Sequence, residues 1–164
     1  TYERVSAITD QAERQRLGAL GWHRDVVDVV NYLETLPEFS TDQLAYMSIS
    51  YGASVYGQLL MALEGRIKTG LFLSGGLVHT TKLNPILDSI NYVPRITQPM
   101  LMLNGRYDHI YPFERSAQRM FGLLGTPSEH KKLVGFDAGH MDFPRNQVLE
   151  EVSNWLDEYL GPVR

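Results

Sequence analysis

The sequence contains no cysteine among its 164 residues. Disulfide bonds, thiolate metal sites and a cysteine nucleophile are therefore excluded. It has no run of basic residues and a formal net charge of −4, so its charge favours neither nucleic acid nor an anionic membrane as a partner. No apolar stretch approaches the roughly 20 residues that a membrane-spanning helix needs, and no signal peptide is recognisable.

What the sequence does contain is the composition of an ordinary soluble globular protein, with 43% hydrophobic and 21% charged residues. A chain of this length can form one compact domain with a core, and it is too short for two comfortable ones. We therefore expect a single domain over residues 1–164, in a compartment that the sequence does not specify.

Strand and helix patterns alternate along this domain. Residues 1–20 are polar and weakly patterned, which predicts a loop leading into a helix. Apolar residues at three- and four-residue steps predict that helix from Trp22 to Leu36, with Pro37 ending it. Four short apolar runs, the first of them expected to be buried, are predicted to be strands: LAYMSI, IKTGLFLS, PMLMLNG and KKLVGF, at residues 44–49, 67–74, 99–105 and 131–136.

Further helical patterns follow three of these strands, over residues 53–65, 113–124 and 148–159, while residues 75–94 are expected to be irregular or partly helical. Strands that alternate with helices are typical of a parallel sheet covered by helices on both faces. In such a sheet, reactive groups collect in the loops beyond the carboxyl ends of the strands. The predicted fold class is therefore α/β, and three of these loops carry candidate catalytic residues.

The first loop reads Ser48-Ile49-Ser50-Tyr51-Gly52 and lies between a predicted strand and a predicted helix. It is close to the G-x-S-x-G turn that lifts a serine hydroxyl clear of a sheet. Small residues are needed two places either side of the serine because the strand and helix backbones pass close together. A serine and a glycine between a strand and a helix also commonly form only an N-cap and a tight connection.

The other two loops supply an acid and a base. Asp108 follows the third strand, and His140 follows the fourth. A serine hydroxyl is a poor nucleophile until a neutral imidazole accepts its proton, and a carboxylate holds that imidazole in the correct tautomer. The chain order of Ser50, Asp108 and His140 is that of the α/β hydrolases rather than of chymotrypsin or subtilisin.

Each candidate has competitors. Asp108 could instead satisfy turn amides, and His140 could be a surface histidine. For the acid, Asp137 and Asp142 compete, although Asp137 is so close to His140 that it would need a tight loop. For the base the competitors are His23, His79, His109 and His130, of which His130 begins a strand and should lie at the opposite edge.

The segments YMSISYGA, PMLMLNGRYDHIYP and FDAGHMDFP resemble the α/β-hydrolase superfamily. The run RDVVDVVNYLETLPEFSTDQLAYMSISYGA is similar to the dienelactone-hydrolase and prolyl-oligopeptidase-like branch. The nearest likeness is to small bacterial esterase domains found at the C-terminus of larger proteins. The resemblance covers nearly the whole chain, and it is more specific for the superfamily than for the substrate.

This resemblance implies carboxylic-ester hydrolysis through an acyl-enzyme, with Ser50 as nucleophile, His140 as proton shuttle and Asp108 orienting His140. It also implies an oxyanion hole in which the backbone N–H of Tyr51 is one donor. The family places further strands, and the loop that carries the second donor, before the first helix predicted here. We therefore expect residues 1–164 to be the C-terminal two-thirds of the esterase domain, with the second donor outside this chain.

Two departures and two alternatives accompany this prediction. Ser48 replaces the usual first glycine of the elbow, and the chain begins at Thr1, where the missing strands should have finished. The small candidate cap, residues 77–96, suggests small acyl esters, although it could be a plain connection. The alternatives are a serine peptidase and a hydrolase-like scaffold that binds a partner without catalysis.

No cofactor or metal is expected. The histidines are scattered without an i, i+4 pair, and no phosphate-binding or dinucleotide-binding glycine motif is present. The expected partners are a small-molecule ester and the N-terminal remainder of the same polypeptide, with no nucleic acid and no membrane span.

Overall fold

The computed structural model describes residues 10–80 and 83–162. Its sheet has four parallel strands in the order β1-β2-β3-β4. The strands are Leu44–Ile49, Ile67–Leu73, Met100–Gly105 and Lys131–Phe136. Each predicted strand is thus confirmed to within one residue at its ends. Because the order of the strands in the sheet is their order in the chain, each connection leads to the neighbouring strand, always in the same direction across the sheet.

Helix α1 is Gln11–Leu33 and α4 is Arg145–Leu160. The two helices between them each begin with a wide π-type turn: α2 comprises Gly52–Tyr56 and Gly57–Leu63, and α3 comprises Phe113–Ala117 and Gln118–Leu123. Single 3₁₀ turns lie at Thr41–Gln43, Ser89–Asn91, Val93–Arg95 and Ser128–His130. None of the helices within the described ranges is both long and apolar enough to cross a membrane.

Helix α1 begins much earlier than the sequence predicts. The side chain of Asp10 accepts hydrogen bonds from the backbone N–H groups of Ala12 and Glu13, at 2.8 and 3.3 Å, and so caps the helix. The predicted loop over residues 1–20 is therefore wrong for residues 11–20, while residues 1–9 lie outside the described residues. The pattern is weak because the first turns of α1 have one buried residue, Ala19, while the others are exposed or partly exposed. The helix also ends at Leu33, three residues before the predicted end.

Side chains of the central strands alternate between two cores. On one face, Phe72, Met100 and Met102 pack with residues of α2, α3 and, at the margin, α1. On the other face, Leu71, Leu73, Leu101 and Leu103 pack with Trp155 of α4. When successive β-α-β connections have the same handedness and each leads to the next strand in the same direction, their helices lie on the same face of the sheet. Helices α2 and α3 therefore share one face, and α4 covers the other. The predicted covering of both faces is therefore confirmed for the centre of the sheet.

Strand β1 is only half buried, so the expectation of a buried strand is wrong for one of its faces. Tyr46 faces the core beside Trp22, with ring centroids 6.2 Å apart. On the opposite face, Met47 and Ile49 are 49% and 41% exposed. The strand lies at the edge of the sheet and pairs with β2 alone in the part of the chain that the structure describes. The sequence of an apolar strand does not show whether other elements pack on one of its faces or on both.

Candidate active site

Ser50 lies directly after β1 in a tight, left-handed turn with φ 55°. Its carbonyl oxygen accepts hydrogen bonds from the N–H groups of Ala53 and Ser54, at 3.0 and 2.9 Å, which start α2. A Cβ atom on Gly52 would lie 3.4 Å from the Cβ of Ser48. The first and second small positions of the turn are therefore close neighbours, and Ser48 is accommodated beside Gly52.

Asp108 lies beyond the end of β3, and its side chain is completely buried. One carboxylate oxygen, Oδ1, accepts hydrogen bonds from the backbone N–H groups of Ile110 and Tyr111, at 2.8 and 3.0 Å. These two bonds fix the rotation of the carboxylate. As a result, the second oxygen, Oδ2, is directed towards the loop that follows β4.

His140 lies in that loop and contacts both other candidates. Its Nδ1 is 2.8 Å from Oδ2 of Asp108, and its Nε2 is 2.8 Å from Oγ of Ser50. An ionised carboxylate can only accept, so the neutral imidazole must carry its proton on Nδ1 to bond Asp108. Nε2 then presents a lone pair to the hydroxyl of Ser50. The imidazole is 13% exposed, which leaves limited access from solvent.

The loop that carries His140 lies directly over the end of β3. A Cβ atom on Gly105 would collide with the carbonyl oxygens of Ala138 and Gly139. The N–H of Tyr107 donates to the carbonyl of Ala138 at 3.0 Å, which ties the acid loop to the histidine loop. A side chain at position 105 would therefore push the histidine loop away from the acid.

Aromatic rings lie beside His140 and beside the turn that carries Ser50, which the sequence does not predict. The Tyr111 ring lies 5.9 Å from the His140 ring, and Tyr51 meets Tyr56 edge-on at 5.4 Å. Tyr56 in turn stacks on Trp22 at 4.9 Å. Burial raises the pKa of the Tyr51 phenol, and the nearby phenols of Tyr56 and Tyr111 raise it further. Tyr51 therefore adds no negative charge beside Ser50 at neutral pH.

The competing acids occupy other positions. Asp137 is 78% exposed and pairs with Arg106 at 3.6 Å. Asp142 accepts a hydrogen bond from the backbone N–H of Gly139 at 2.7 Å, and so shapes the loop rather than contacting the imidazole. Asp108 is the carboxylate bonded to His140.

The competing histidines occupy other positions. His130 precedes β4 and is 3.1 Å from the hydroxyl of Tyr159, at the opposite edge of the sheet, where the sequence predicts it. His23 belongs to α1. His79 and His109 are exposed. Within residues 10–80 and 83–162, no three histidine, aspartate or glutamate side chains are grouped so that they could hold a metal ion.

The candidate cap has a packing role in its described part, residues 77–80 and 83–96. Leu87 is 1% exposed and packs with Ala19, Val55 and Leu59, which belong to α1 and α2. The hydroxyl of Tyr92 donates to the carbonyl of Ile86 at 3.0 Å and stabilises the connection. The role of this segment as a small cap over the site stays a prediction.

No protein-family model and no curated protein sequence matches the chain. Solved structures do match. A zinc-bound, cold-adapted esterase from an Arctic intertidal metagenomic library has a TM-score of 0.74 and 20% identity, over 94% of this chain and 66% of its own. An α/β hydrolase from Penicillium has a TM-score of 0.72 and 13% identity, over 87% of this chain and 72% of its own.

A third similar structure is the acylaminoacyl peptidase of Pyrococcus horikoshii, with a TM-score of 0.69 and 13% identity over 87% of this chain and 28% of its own. The chain thus spans just under two-thirds of the Arctic esterase and a smaller part of the peptidase. The similarity covers 87% to 94% of this chain and extends to proteins of differing size. The chain therefore has the α/β-hydrolase fold.

Proposed function

We propose that this chain carries the catalytic triad of a serine carboxylesterase, with Ser50 as nucleophile, His140 as general base and acid, and Asp108 as the residue that orients His140. The observation that carries the proposal is the continuous pair of 2.8 Å contacts from Asp108 through His140 to Ser50. Three side chains from three strand exits meet in the geometry that activates a serine hydroxyl.

The first half of the reaction forms an acyl-enzyme. Oγ of Ser50 attacks the ester carbonyl carbon while its proton passes to Nε2 of His140, and the carbonyl π electrons move onto oxygen. The buried carboxylate of Asp108 stabilises the imidazolium that results. When the tetrahedral intermediate collapses, the bond to the alkoxy group breaks and His140 returns the proton to the departing alcohol.

The second half releases the acid. A water molecule gives a proton to Nε2 of His140 and attacks the acyl carbon, which forms a second tetrahedral intermediate. The bond to Oγ of Ser50 then breaks, and Ser50 regains its proton from His140. Serine and imidazole return to their starting states, so the net reaction is ester plus water to acid plus alcohol.

The oxyanion of each intermediate needs hydrogen-bond donors. We propose the backbone N–H of Tyr51 as one donor because it directly follows the nucleophile at the start of α2. The second donor is proposed to come from residues outside this chain. Loss of one such donor typically costs about 3 kcal/mol of barrier, so activity should depend strongly on both.

The proposed source of the second donor is the remainder of the same polypeptide, with residues 1–164 forming the C-terminal two-thirds of the domain. The exposed face of β1 at Met47 and Ile49 supports this, as does its edge, which is unpaired within the described residues. The chain also spans only 66% of the Arctic esterase. Hydrogen exchange of the β1 amides tests the proposal, since exchange should slow in the longer polypeptide if strands pair there.

The proposed substrates are small acyl esters. The connection over residues 77–96 leaves little chain for a large lid, and similar folds include an esterase. A serine peptidase is the second candidate because the acylaminoacyl peptidase has the same fold. Turnover of an acylaminoacyl p-nitroanilide separates the two, with p-nitrophenyl acetate as the positive control, because both candidates should hydrolyse the activated ester and only the peptidase must cleave the anilide.

The decisive experiment is labelling with a fluorophosphonate probe, followed by mass spectrometry of the modified peptide. We expect modification at Ser50, loss of labelling in Ser50→Ala, and strong reduction in His140→Ala. Ser153→Ala, which changes an exposed serine on α4, is the matched control and should label normally. The test should be run on this chain and on the longer polypeptide.

Labelling of Ser50 in this chain supports the proposed catalytic triad. Labelling restricted to the longer polypeptide supports both the triad and the proposed N-terminal remainder. Absence of Ser50 labelling in both forms would contradict the enzyme proposal. Binding of a partner without any labelling would then favour a non-catalytic scaffold.

A further inference from the structure

The first observation concerns backbone conformation. Among the described residues, two that are not glycine have a positive φ, and these are Ser50 at 55° and Ser74 at 47°. This left-handed region is unfavourable for residues with a Cβ atom and persists where surrounding contacts enforce it. The turn at Ser50 presents the proposed nucleophile, whereas Ser74 has no role in the proposed reaction.

The second observation is that the two strained residues are neighbours. Strands β1 and β2 pair so that Ile49 is opposite Leu73, and each strained serine directly follows its strand. The N–H of Ser50 donates to the carbonyl of Leu73, and the N–H of Ser74 donates to that of Leu103, both at 2.9 Å. Ser74 is therefore fixed between the strand that carries the nucleophile and the strand that carries the acid.

The third observation is the contact made by the Ser74 side chain. Its residue is completely buried, and its hydroxyl donates a hydrogen bond to the backbone carbonyl oxygen of His140. The following residue, Gly75, is also fixed, since its carbonyl accepts from the Asn104 side chain at 2.8 Å. The hydroxyl thus joins the end of β2 to the residue that must face Ser50.

We propose that Ser74 is a positioning residue for His140, which rests on the proposed triad function. Its left-handed backbone aims the hydroxyl at the His140 carbonyl, and this bond holds the histidine loop where Nε2 meets Oγ of Ser50. A glycine would adopt the same φ without strain. A glycine at position 74 could not donate the hydrogen bond to His140, and this bond accounts for a serine in a conformation that glycine adopts more easily.

Two substitutions separate the hydroxyl from the backbone strain. Ser74→Gly removes the hydrogen bond and relieves the strain, whereas Ser74→Ala removes the bond and keeps the strain. The matched control is Ser116→Ala, because the hydroxyl of Ser116, on α3, donates at 2.7 Å to the carbonyl of Leu77 in the loop that follows Ser74, and not to His140. If only stability mattered, Ser74→Gly should be less harmful than Ser74→Ala, because it relieves the backbone strain.

The experiment measures kcat and KM for p-nitrophenyl acetate, the rate of fluorophosphonate labelling and the melting temperature, in whichever form of the protein labels at Ser50. We expect both Ser74 variants to lower kcat and the labelling rate by about 10- to 100-fold, the effect of a small misplacement of a reacting group. KM should change less than kcat. Ser74→Gly should melt no lower than Ser74→Ala, and Ser116→Ala should keep its kcat.

A kcat within about twofold of the unmodified protein in Ser74→Gly would overturn the proposal. So would an equal loss of kcat in Ser116→Ala, because that result would indicate a general packing effect. Failure of the unmodified protein to label at Ser50 would instead contradict the proposed function. The two failures are therefore distinguishable.

Discussion

Replacing Asp108 with asparagine tests the geometry of the acid most directly. Asparagine has nearly the same shape, so the change replaces one carboxylate oxygen with an NH₂ group. If the amide oxygen stays with the N–H groups of Ile110 and Tyr111, the NH₂ faces Nδ1 of His140. The imidazole must then carry its proton on Nε2, where it cannot accept the proton of Ser50.

The opposite orientation of the amide restores the correct tautomer at a cost. The NH₂ group would then face two backbone N–H donors, which would lose their acceptor inside the protein. Each buried donor left without an acceptor costs about 1–3 kcal/mol, so the two together disfavour this orientation by at least about 2 kcal/mol. About 2 kcal/mol corresponds to a population ratio near 30, which sets the smallest expected loss of activity.

We therefore expect Asp108→Asn to lower kcat for p-nitrophenyl acetate by at least about 30-fold and by up to about 10⁴-fold, the loss seen for the same change in a serine-protease triad. The matched control is Asp137→Asn, since Asp137 lies in the histidine loop but is 78% exposed and pairs with Arg106. It should keep its kcat. Circular dichroism and melting temperature check that both variants fold. A loss of kcat in Asp108→Asn well below about 30-fold, or an equal loss in Asp137→Asn, would refute the reasoning.

The remaining predictions concern two glycines and one ion pair. Gly105→Ala should destabilise the protein by about 1–3 kcal/mol and lower kcat, because the new methyl group meets the carbonyls before His140; calorimetry and ester turnover measure both. Gly122→Ala is its control: the site is open and helical, so the variant should melt about 1–4 °C higher, and a lower melting temperature would contradict this. Arg66 donates to Glu64 at 2.6 and 2.8 Å and holds the pKa of that carboxyl below its usual range. This stabilisation is present above the usual glutamate pKa range and is lost as pH falls through the lowered pKa. The melting temperature of Glu64→Gln should therefore be lower than that of the unmodified protein at pH 7, and the difference should shrink towards about pH 3. A difference independent of pH would show that the charge is not its cause.

The meeting of the three candidate residues could be predicted because each follows a short apolar run. In a parallel sheet, the carboxyl ends of the strands share one edge, so Ser50, Asp108 and His140 must be near one another if the runs are strands. Choosing Asp108 over Asp137 depended on loop length, and the structure places Asp108 next to His140 at 2.8 Å. The roles of these residues in catalysis stay a proposal.

Other features depend on contacts that the local sequence does not contain. The early turns of α1 are stabilised by the Asp10 cap and by packing of Ala19 against Val55 and Leu59, which come much later in the chain. The exposed face of β1 depends on what lies beside it, because an apolar run looks the same with one face covered or two. The strain at Ser74 was not predictable, since serine carries no signal for a positive φ.

The hydrogen bond between Ser50 and His140 joins residues that are 90 positions apart, and the chain between them contains all of β2, β3 and β4. Contacts this distant in sequence form late, because the entropy of closing a long loop must be overcome first. A probe that reacts at Ser50 would therefore count only molecules whose whole sheet has assembled. In a refolding time course, the rate at which labelling appears would report the rate of complete folding. In a library of variants, labelling would identify those that fold completely, which a measurement of helical content does not do.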